Sequence, residues 1–420
     1  MPFNSFGLHA DLVRAVKDLG FLQPTPIQKD AIPPALSGRD VLACAATGSG
    51  KTAAFGLPIL HRLLGKPRGK TRVLILTPTR ELCAQIDEHL ADLARHTPLT
   101  SAAVYGGVGM GPQVKAMEGG VDIVVATPGR LLDHFRYPYA RLHHLEVLVI
   151  DEADRMLDMG FLPDIHRIMQ RVPERRQTFF FSATLPPPIV GLSREMLKDP
   201  VKINIVRQAR PAAGITHSIY PVPHELKSSL LLKLVEGKDI RNALVFTRTK
   251  RRADRVADYL KRSGVSVARI HGDRTQAQRT QSLEGFKRGR YRILVATDLA
   301  ARGLDIDALS HVINYDLPGS PDDYIHRVGR TARAEATGDA FTFVSREEEG
   351  DLHAIERALE CHIPRIVLPS FDYTVIESGY AGSRTEHRRH GSSGGGSGRW
   401  RRQSHAQRHG SPQAAQAVFA

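Results

Sequence analysis

Residues 41–55 read Val-Leu-Ala-Cys-Ala-Ala-Thr-Gly-Ser-Gly-Lys-Thr-Ala-Ala-Phe. An apolar run, a glycine-bearing loop and a Lys-Thr pair opening an Ala-rich segment predict a strand, a turn and a helix N-terminus. Such a loop is a phosphate cradle: backbone N–H groups converge on an anion and the helix dipole favours negative charge. Gly48 and Gly50 leave room for close approach, Lys51 would reach the β/γ-phosphates, and the Thr52 hydroxyl would ligate Mg²⁺. Ala45 stands where the eight-residue pattern has its first glycine, so by itself the loop also reads as a turn that only caps a helix.

A second chemical cluster follows the apolar run 147–150, which leads straight into Asp151-Glu152-Ala153-Asp154. One acid at the end of a buried strand is ordinary helix capping. Three acids downstream of a phosphate loop point to phosphoryl transfer, with Asp151 suited to Mg²⁺ and Glu152 to orienting or deprotonating a water. Farther on, Arg327, Arg330 and Arg333 recur at a spacing of three and read either as a basic surface or, for Arg330 and Arg333, as arginine fingers. Gln28, placed by the proline-set segment 20–28 at the start of a helix, can donate and accept at once, which is what reading an adenine edge requires, though taken alone a glutamine there is usually just solvated.

The elements that must position these residues alternate. A helical period spans residues 8–19, and apolar runs at 73–76, 123–125, 147–150 and 178–181 are separated by helical patterns such as 81–93. Near-continuous Val/Ile/Leu strands alternating with helices predict an α/β fold with parallel sheets covered on both faces, and function at the carboxyl ends of the strands. A second series of runs at 243–247, 267–270, 292–296, 311–314 and 340–344 has no phosphate loop. The expected organisation is one lobe over 1–205, a linker at 206–215, a second lobe over 216–370 and a tail over 371–420.

The 420 residues exceed one ordinary core, and 41% hydrophobic with 24% charged residues is a globular composition. From Ala381 the chain turns to Gly, Ser, Arg and His, too polar to offset ordering entropy, and is expected to be disordered. Seven arginines against the single acid Glu386 give this stretch +6 of the net +14 and leave +8 on the rest. Both parts therefore suit a polyanion, with nucleic acid the leading partner. Trp400, among arginines, would stack on an unpaired base or simply sit in a solvated tail. Cys44, Cys83 and Cys361 are too scattered for a zinc site or a disulfide framework, which fits a reducing compartment. With no leader-like start and no apolar run long enough for a bilayer, a cytoplasmic protein without membrane contact is expected.

The ordered set of segments resembles the DEAD-box RNA helicases. For the first lobe the resemblance is carried by Gly20 to Gln28, Ala45 to Thr52, Pro78-Thr79-Arg80-Glu81-Leu82, Gly106-Gly107, Thr127-Pro128-Gly129-Arg130, Asp151 to Asp154 and Ser182-Ala183-Thr184. For the second it is carried by Val245 to Lys250, Gln276 with Arg279, Ala296-Thr297-Asp298 with Arg302-Gly303-Leu304-Asp305, and His326 to Arg333. Residues 245–250 and Ile363-Pro364-Arg365 further resemble bacterial RhlE-type members.

That resemblance implies two tandem RecA-like lobes and an ATP-dependent RNA helicase using ATP and Mg²⁺. It implies that Gln28, with Phe21 stacking and Thr25 supporting, reads adenine, that Ala46, Thr47, Gly48, Ser49, Gly50, Lys51 and Thr52 hold the phosphates, and that Asp305 approaches the nucleotide from the second lobe. Arg80, Gly106, Gly107, Thr127, Gly129, Arg130, Arg248 and Thr297 would grip RNA, and Ser182, Thr184 and His326 would couple the two ligands. Ala45 is usual in the family, Cys83 replaces a usual Ala, and Ala332 replaces a common glycine beside Arg333. The implied function is RNA-stimulated ATP hydrolysis coupled to unwinding of short duplexes, with ribosomal precursors or RNA-decay proteins as partners in ribosome maturation or RNA decay. An ATP-gated RNA clamp needs the same residues, while Gln28 and the Asp-Glu-Ala-Asp run argue against a DNA translocase.

Overall fold

The protein is described here from a computed structural model covering residues 2–45, 48–205, 214–237, 240–301, 304, 306, 309–331 and 338–374. Ala46, Thr47, Asp305, Ala332, Arg333, most of the expected linker, and Trp400 with the rest of 375–420 lie outside the described residues.

Lobe one is built on seven strands: β1 Val41–Cys44, β2 Val73–Leu76, β3 Ser101–Val104, β4 Ile123–Ala126, β5 Val147–Ile150, β6 Gln177–Ser182 and β7 Val201–Asn204. They pair in parallel in the order β3-β4-β2-β5-β6-β1-β7. Successive strand side chains point to opposite faces, so each sheet face has its own core. Val73, Ile75, Val147, Val149, Phe179 and Phe181 join one of them, and Leu74, Leu76, Leu148, Ile150 and Phe180 the other. Burial on both faces is why these runs carry almost no polar residue.

Lobe two repeats the plan with β8 Ile215–Pro221, β9 Ala243–Thr247, β10 Val267–Ile270, β11 Ile293–Thr297, β12 His311–Asn314 and β13 Gly338–Val344, parallel in the order β10-β11-β9-β12-β13-β8. The strand β8 begins inside the stretch expected to be linker. Its outer edge is met by residues 364–366: Ile219 N donates to Pro364 O at 2.8 Å, and Ile366 N donates to Ile219 O at 2.7 Å. Phe371 and Tyr373 still pack on this lobe's core, so the fold runs past the expected boundary at residue 370.

The C-terminal ends of the strands carry the unusual residues in both lobes. Asp151 follows β5, Ser182 ends β6, Arg248 follows β9 and Thr297 ends β11. Among the described residues no helix is long and apolar enough to cross a membrane.

Candidate active site and nucleic-acid interface

After β1 the chain turns through Gly48 (φ 79°) and Gly50 (φ 95°) into the helix Lys51–Leu63. Both glycines occupy the left-handed region that other residues enter at a cost. A Cβ on Gly50 would also stand 2.5 Å from Gln28 Nε2. That amide is a strut: Gln28 Nε2 donates to Gly50 O at 3.1 Å, and its Oε1 accepts from Thr25 N at 2.9 Å. Thr25 and Gln28 form the capping box of the helix Pro26–Leu36, so the residues expected to read adenine also fix the loop. Phe21 is half-buried, set edge-on to His89 at 6.0 Å and packed against lobe-one core residues.

The loop fits a triphosphate. Ser49 Oγ is buried without a hydrogen-bond partner, and the amides of the first turn of the helix have no intrahelical acceptor. Lys51 Nζ donates to Ala45 O at 3.2 Å and lies 3.6 Å from Asp151 Oδ1, both side chains being buried. Burial pushes the Asp151 carboxyl above the usual carboxylate range, Lys51 opposes the shift, and the neighbouring Glu152 adds to it. Two buried acids beside one lysine are a donor set whose excess negative charge a divalent cation would compensate. Among the described residues no group of three or more His, Cys, Asp or Glu side chains is placed to hold a metal ion.

Glu152 takes φ 54° and ψ 54° at the start of the helix Ala153–Asp158, a left-handed conformation for a residue with a side chain. Such a backbone persists only where surrounding bonds enforce it, and such residues cluster at active sites. Glu152 N donates to Asp151 Oδ1 at 3.0 Å, and Glu152 Oε2 lies 3.2 Å from Arg155 Nη1. Asp154 turns the other way: its carboxylate accepts from Thr184 N at 2.8 Å and Thr184 Oγ1 at 2.9 Å, while its own N–H donates to Ser182 Oγ at 3.1 Å. The acidic run is thereby bonded to the Ser182-Ala183-Thr184 segment, two of the residues expected to couple the ligands.

Four of the expected RNA residues of lobe one, Arg80, Gly106, Gly107 and Arg130, lie together. A Cβ on Gly107 (φ 83°) would fall 2.0 Å from Arg80 Nη1, and one on Gly106 would lie 3.5 Å from Arg80 and 3.9 Å from Arg130. Arg130 Nη1 donates to Val108 O at 3.2 Å. Thr127 stands at the N-cap position of the helix Pro128–His134 without a side-chain cap bond, and nothing stands within 4 Å of a Cβ on Gly129. In lobe two Arg248 keeps its side chain 56% exposed at the end of β9 while its N–H donates to Asp316 Oδ2. Thr297 is half-buried at the end of β11, and His326 is half-buried on the helix Pro321–Val328.

The basic-surface reading of the arginine triple does not hold for its two described members. Arg327 is buried, forked onto Asp298 at 2.6 and 2.7 Å, bonded to Asn314 Oδ1 and Asp316 O, and set over the Phe246 ring at 5.0 Å. It holds lobe two together. Arg330, also buried, donates Nη1 to Leu304 O at 2.6 Å.

Two contacts between the lobes went unread in the sequence. Glu81 accepts from Gln276 Nε2 at 3.0 Å and pairs with Arg279 Nη2 at 2.9 Å, and Arg155 Nη2 donates to Leu299 O at 3.0 Å. The only sequence signal for Arg155 was its place three residues after Glu152 at the start of a helix.

Comparison with known proteins agrees with this geometry. The DEAD/DEAH box helicase profile matches residues 25–190, and the helicase conserved C-terminal domain matches residues 226–335. The chain is 43% identical over 374 residues to an ATP-dependent RNA helicase DeaD from Buchnera aphidicola, covering 89% of this chain but 62% of that relative. It is 40% identical over 372 residues to the DEAD-box ATP-dependent RNA helicase CshA of Bacillus subtilis, covering 89% of this chain and 75% of that one. Its fold is similar to that of S. cerevisiae Dbp5 bound to RNA and ADP BeF3, with a TM-score of 0.79 and 29% identity over 87% of this chain and 95% of that one. Two parallel RecA-like lobes, a phosphate loop facing an Asp-Glu pair, and this breadth of similarity place the chain in the family of DEAD-box ATP-dependent RNA helicases.

Proposed function

We propose that the protein is an RNA-stimulated ATPase that separates short RNA duplexes or remodels RNA-protein complexes as its lobes close. The observation that carries this reading is the phosphate loop and Asp151-Glu152 of lobe one lying in a molecule whose second lobe is bonded to Arg155, the neighbour of Glu152. Gln28, Phe21 and Thr25 select adenine, Ser49 to Thr52 bind phosphates, and Glu152 orients the attacking water. When bound, Mg²⁺ neutralises charge on the phosphate oxygens, with Thr52 and Asp151 as its ligands. Arg330, and Arg333 and Asp305 outside the described residues, act from lobe two, so hydrolysis waits on closure.

Arg80, Gly106, Gly107, Thr127, Gly129 and Arg130 grip the RNA backbone on one lobe and Arg248 and Thr297 on the other; Ser182, Thr184 and His326 couple this grip to the nucleotide. Backbone contacts carry little base information, so RNA is chosen over DNA through its 2′-hydroxyls. The basic tail adds affinity without sequence preference and makes binding fall with salt. A finer placement among RhlE-type bacterial members rests on residues 245–250 and 363–365, and ribosome maturation or RNA decay in the cytoplasm follows from family resemblance.

A short RNA duplex with ATP tests the reading. Strand release that requires ATP and is lost in Lys51→Ala is expected; a protein that holds RNA in the presence of ATP yet releases no strand is a clamp, and one stimulated equally by DNA is a translocase.

A further inference from the structure

The segment leaving the helix Pro128–His134 presents an aromatic surface that the reaction above does not use. Tyr137 is 51% exposed, and its ring lies parallel to that of Tyr139, 8° between planes and 5.7 Å between centroids. Tyr139 is fixed from below. It packs half-buried on the lobe-one core, and its hydroxyl bonds to Nδ1 of the buried His134 at 2.9 Å. His134 Nε2 reaches Gln113 Oε1 at 3.1 Å, and Gln113 Nε2 donates to Tyr105 O and Gly109 O, the carbonyls on either side of the Gly106–Val108 turn. Because the Gln113 amide nitrogen is the donor there, its oxygen must accept, so His134 carries its proton on Nε2 and accepts from Tyr139 at Nδ1.

This buried chain of hydrogen bonds ties the stacked rings to the loop on which Arg80 and Arg130 converge. Basic groups continue along the same route. Arg130 and Arg136 both stand 3.9 Å from the Asp133 carboxylate, the Arg136 side chain is 79% exposed, and exposed Arg141 donates to Pro138 O at 2.8 Å. Glu118 is the carboxylate whose charge acts on Tyr139. A rigid aromatic face, open on its outer side and flanked by arginines, matches the chemistry by which single strands are held: bases stack on rings whatever their identity, while guanidinium groups meet phosphates.

We propose that Tyr137, backed by Tyr139, is a stacking platform for an unpaired base of the RNA strand as it leaves the Arg80–Arg130 grip. The proposal rests on the RNA-binding reading above. It commits to single-stranded RNA because the surface is continuous with that grip and cationic on both flanks; a protein docking on the same tyrosines would have no need of either.

The test compares wild type, Tyr137→Ala and Tyr137→Phe for binding oligoadenylate in the presence of a non-hydrolysable ATP analogue. Two lengths, about 4 and about 16 nucleotides, bracket ordinary single-strand site sizes, so the longer one reaches past a grip that the shorter one fills. Tyr137→Ala is expected to weaken the longer oligomer about 5- to 10-fold and leave the shorter one unchanged, with Tyr137→Phe retaining wild-type affinity for both. Wild-type binding of both lengths by Tyr137→Ala would overturn the platform and leave the tyrosines to a protein partner. An equal loss on both lengths would overturn it too, since the damage would then lie in the grip. A wild-type protein that bound neither oligomer would instead bring down the RNA-binding reading itself, and the platform with it.

Discussion

Arg155 holds Glu152 and the second lobe at the same time: Nη1 lies 3.2 Å from Glu152 Oε2, and Nη2 donates to the Leu299 carbonyl at 3.0 Å. The side chains of Arg155 and Glu152 are both buried, so the pair is shielded from solvent and its strength depends on geometry. One guanidinium therefore joins lobe two to the acid proposed to orient water.

This linkage makes Arg155 a positioning residue. Arg155→Ala is expected to lower RNA-saturated kcat about 10- to 100-fold, the range of one to two charge-assisted hydrogen bonds, and to leave the KM for ATP within about threefold. Arg155→Lys should recover part of the loss. Steady-state kinetics at saturating RNA separate the two parameters; a change in KM alone would place Arg155 in nucleotide binding.

Arg330 is buried and held by the Leu304 carbonyl. As an arginine finger it should slow hydrolysis by ~10³-fold when changed to Ala, with RNA affinity unaltered. Loss of RNA affinity with normal turnover would assign it to RNA.

The strand ends were legible in the sequence because their chemistry contradicts their surroundings: acids, Ser-Ala-Thr and a glycine loop each interrupt a buried apolar run. The central strands were legible for the same reason, being covered on both faces. The strand β3, Ser-Ala-Ala-Val, and β7, Val-Lys-Ile-Asn, lie at sheet edges and are only partly buried, so their composition carries a weak signal. Arg327 misled because nothing local distinguishes a buried arginine whose partners, Asp298, Asn314 and Asp316, come from other segments. The contacts of Arg155 with Leu299 and of Glu81 with Gln276 span 144 and 195 residues, a range at which periodicity says nothing.

The segment 363–365 is tied to lobe two through Glu356, whose carboxyl is held down at about 2, chiefly by its hydrogen bond from Arg365, with Ile363 N also donating to it at 2.8 Å. Because the folded-state value lies below the ordinary one, this pair's stabilisation is present above about pH 4.5 and is lost as pH falls toward 2. Arg365→Ala leaves a buried carboxylate short of its main partner and should cost about 1–2 kcal/mol at neutral pH. Denaturant melts from neutral pH downward should show the gap between wild type and variant closing in acid; a gap independent of pH would mean that the arginine acts by packing alone.

Gating of hydrolysis by RNA-driven closure is tested most directly by ATP turnover of the full chain with and without RNA, beside Glu152→Gln. The wild type should hydrolyse ATP slowly alone and at least about tenfold faster with RNA, whereas Glu152→Gln should bind ATP and RNA together and turn over about 10²- to 10⁴-fold more slowly. Turnover indifferent to RNA, or a Glu152→Gln protein as fast as wild type, would contradict it.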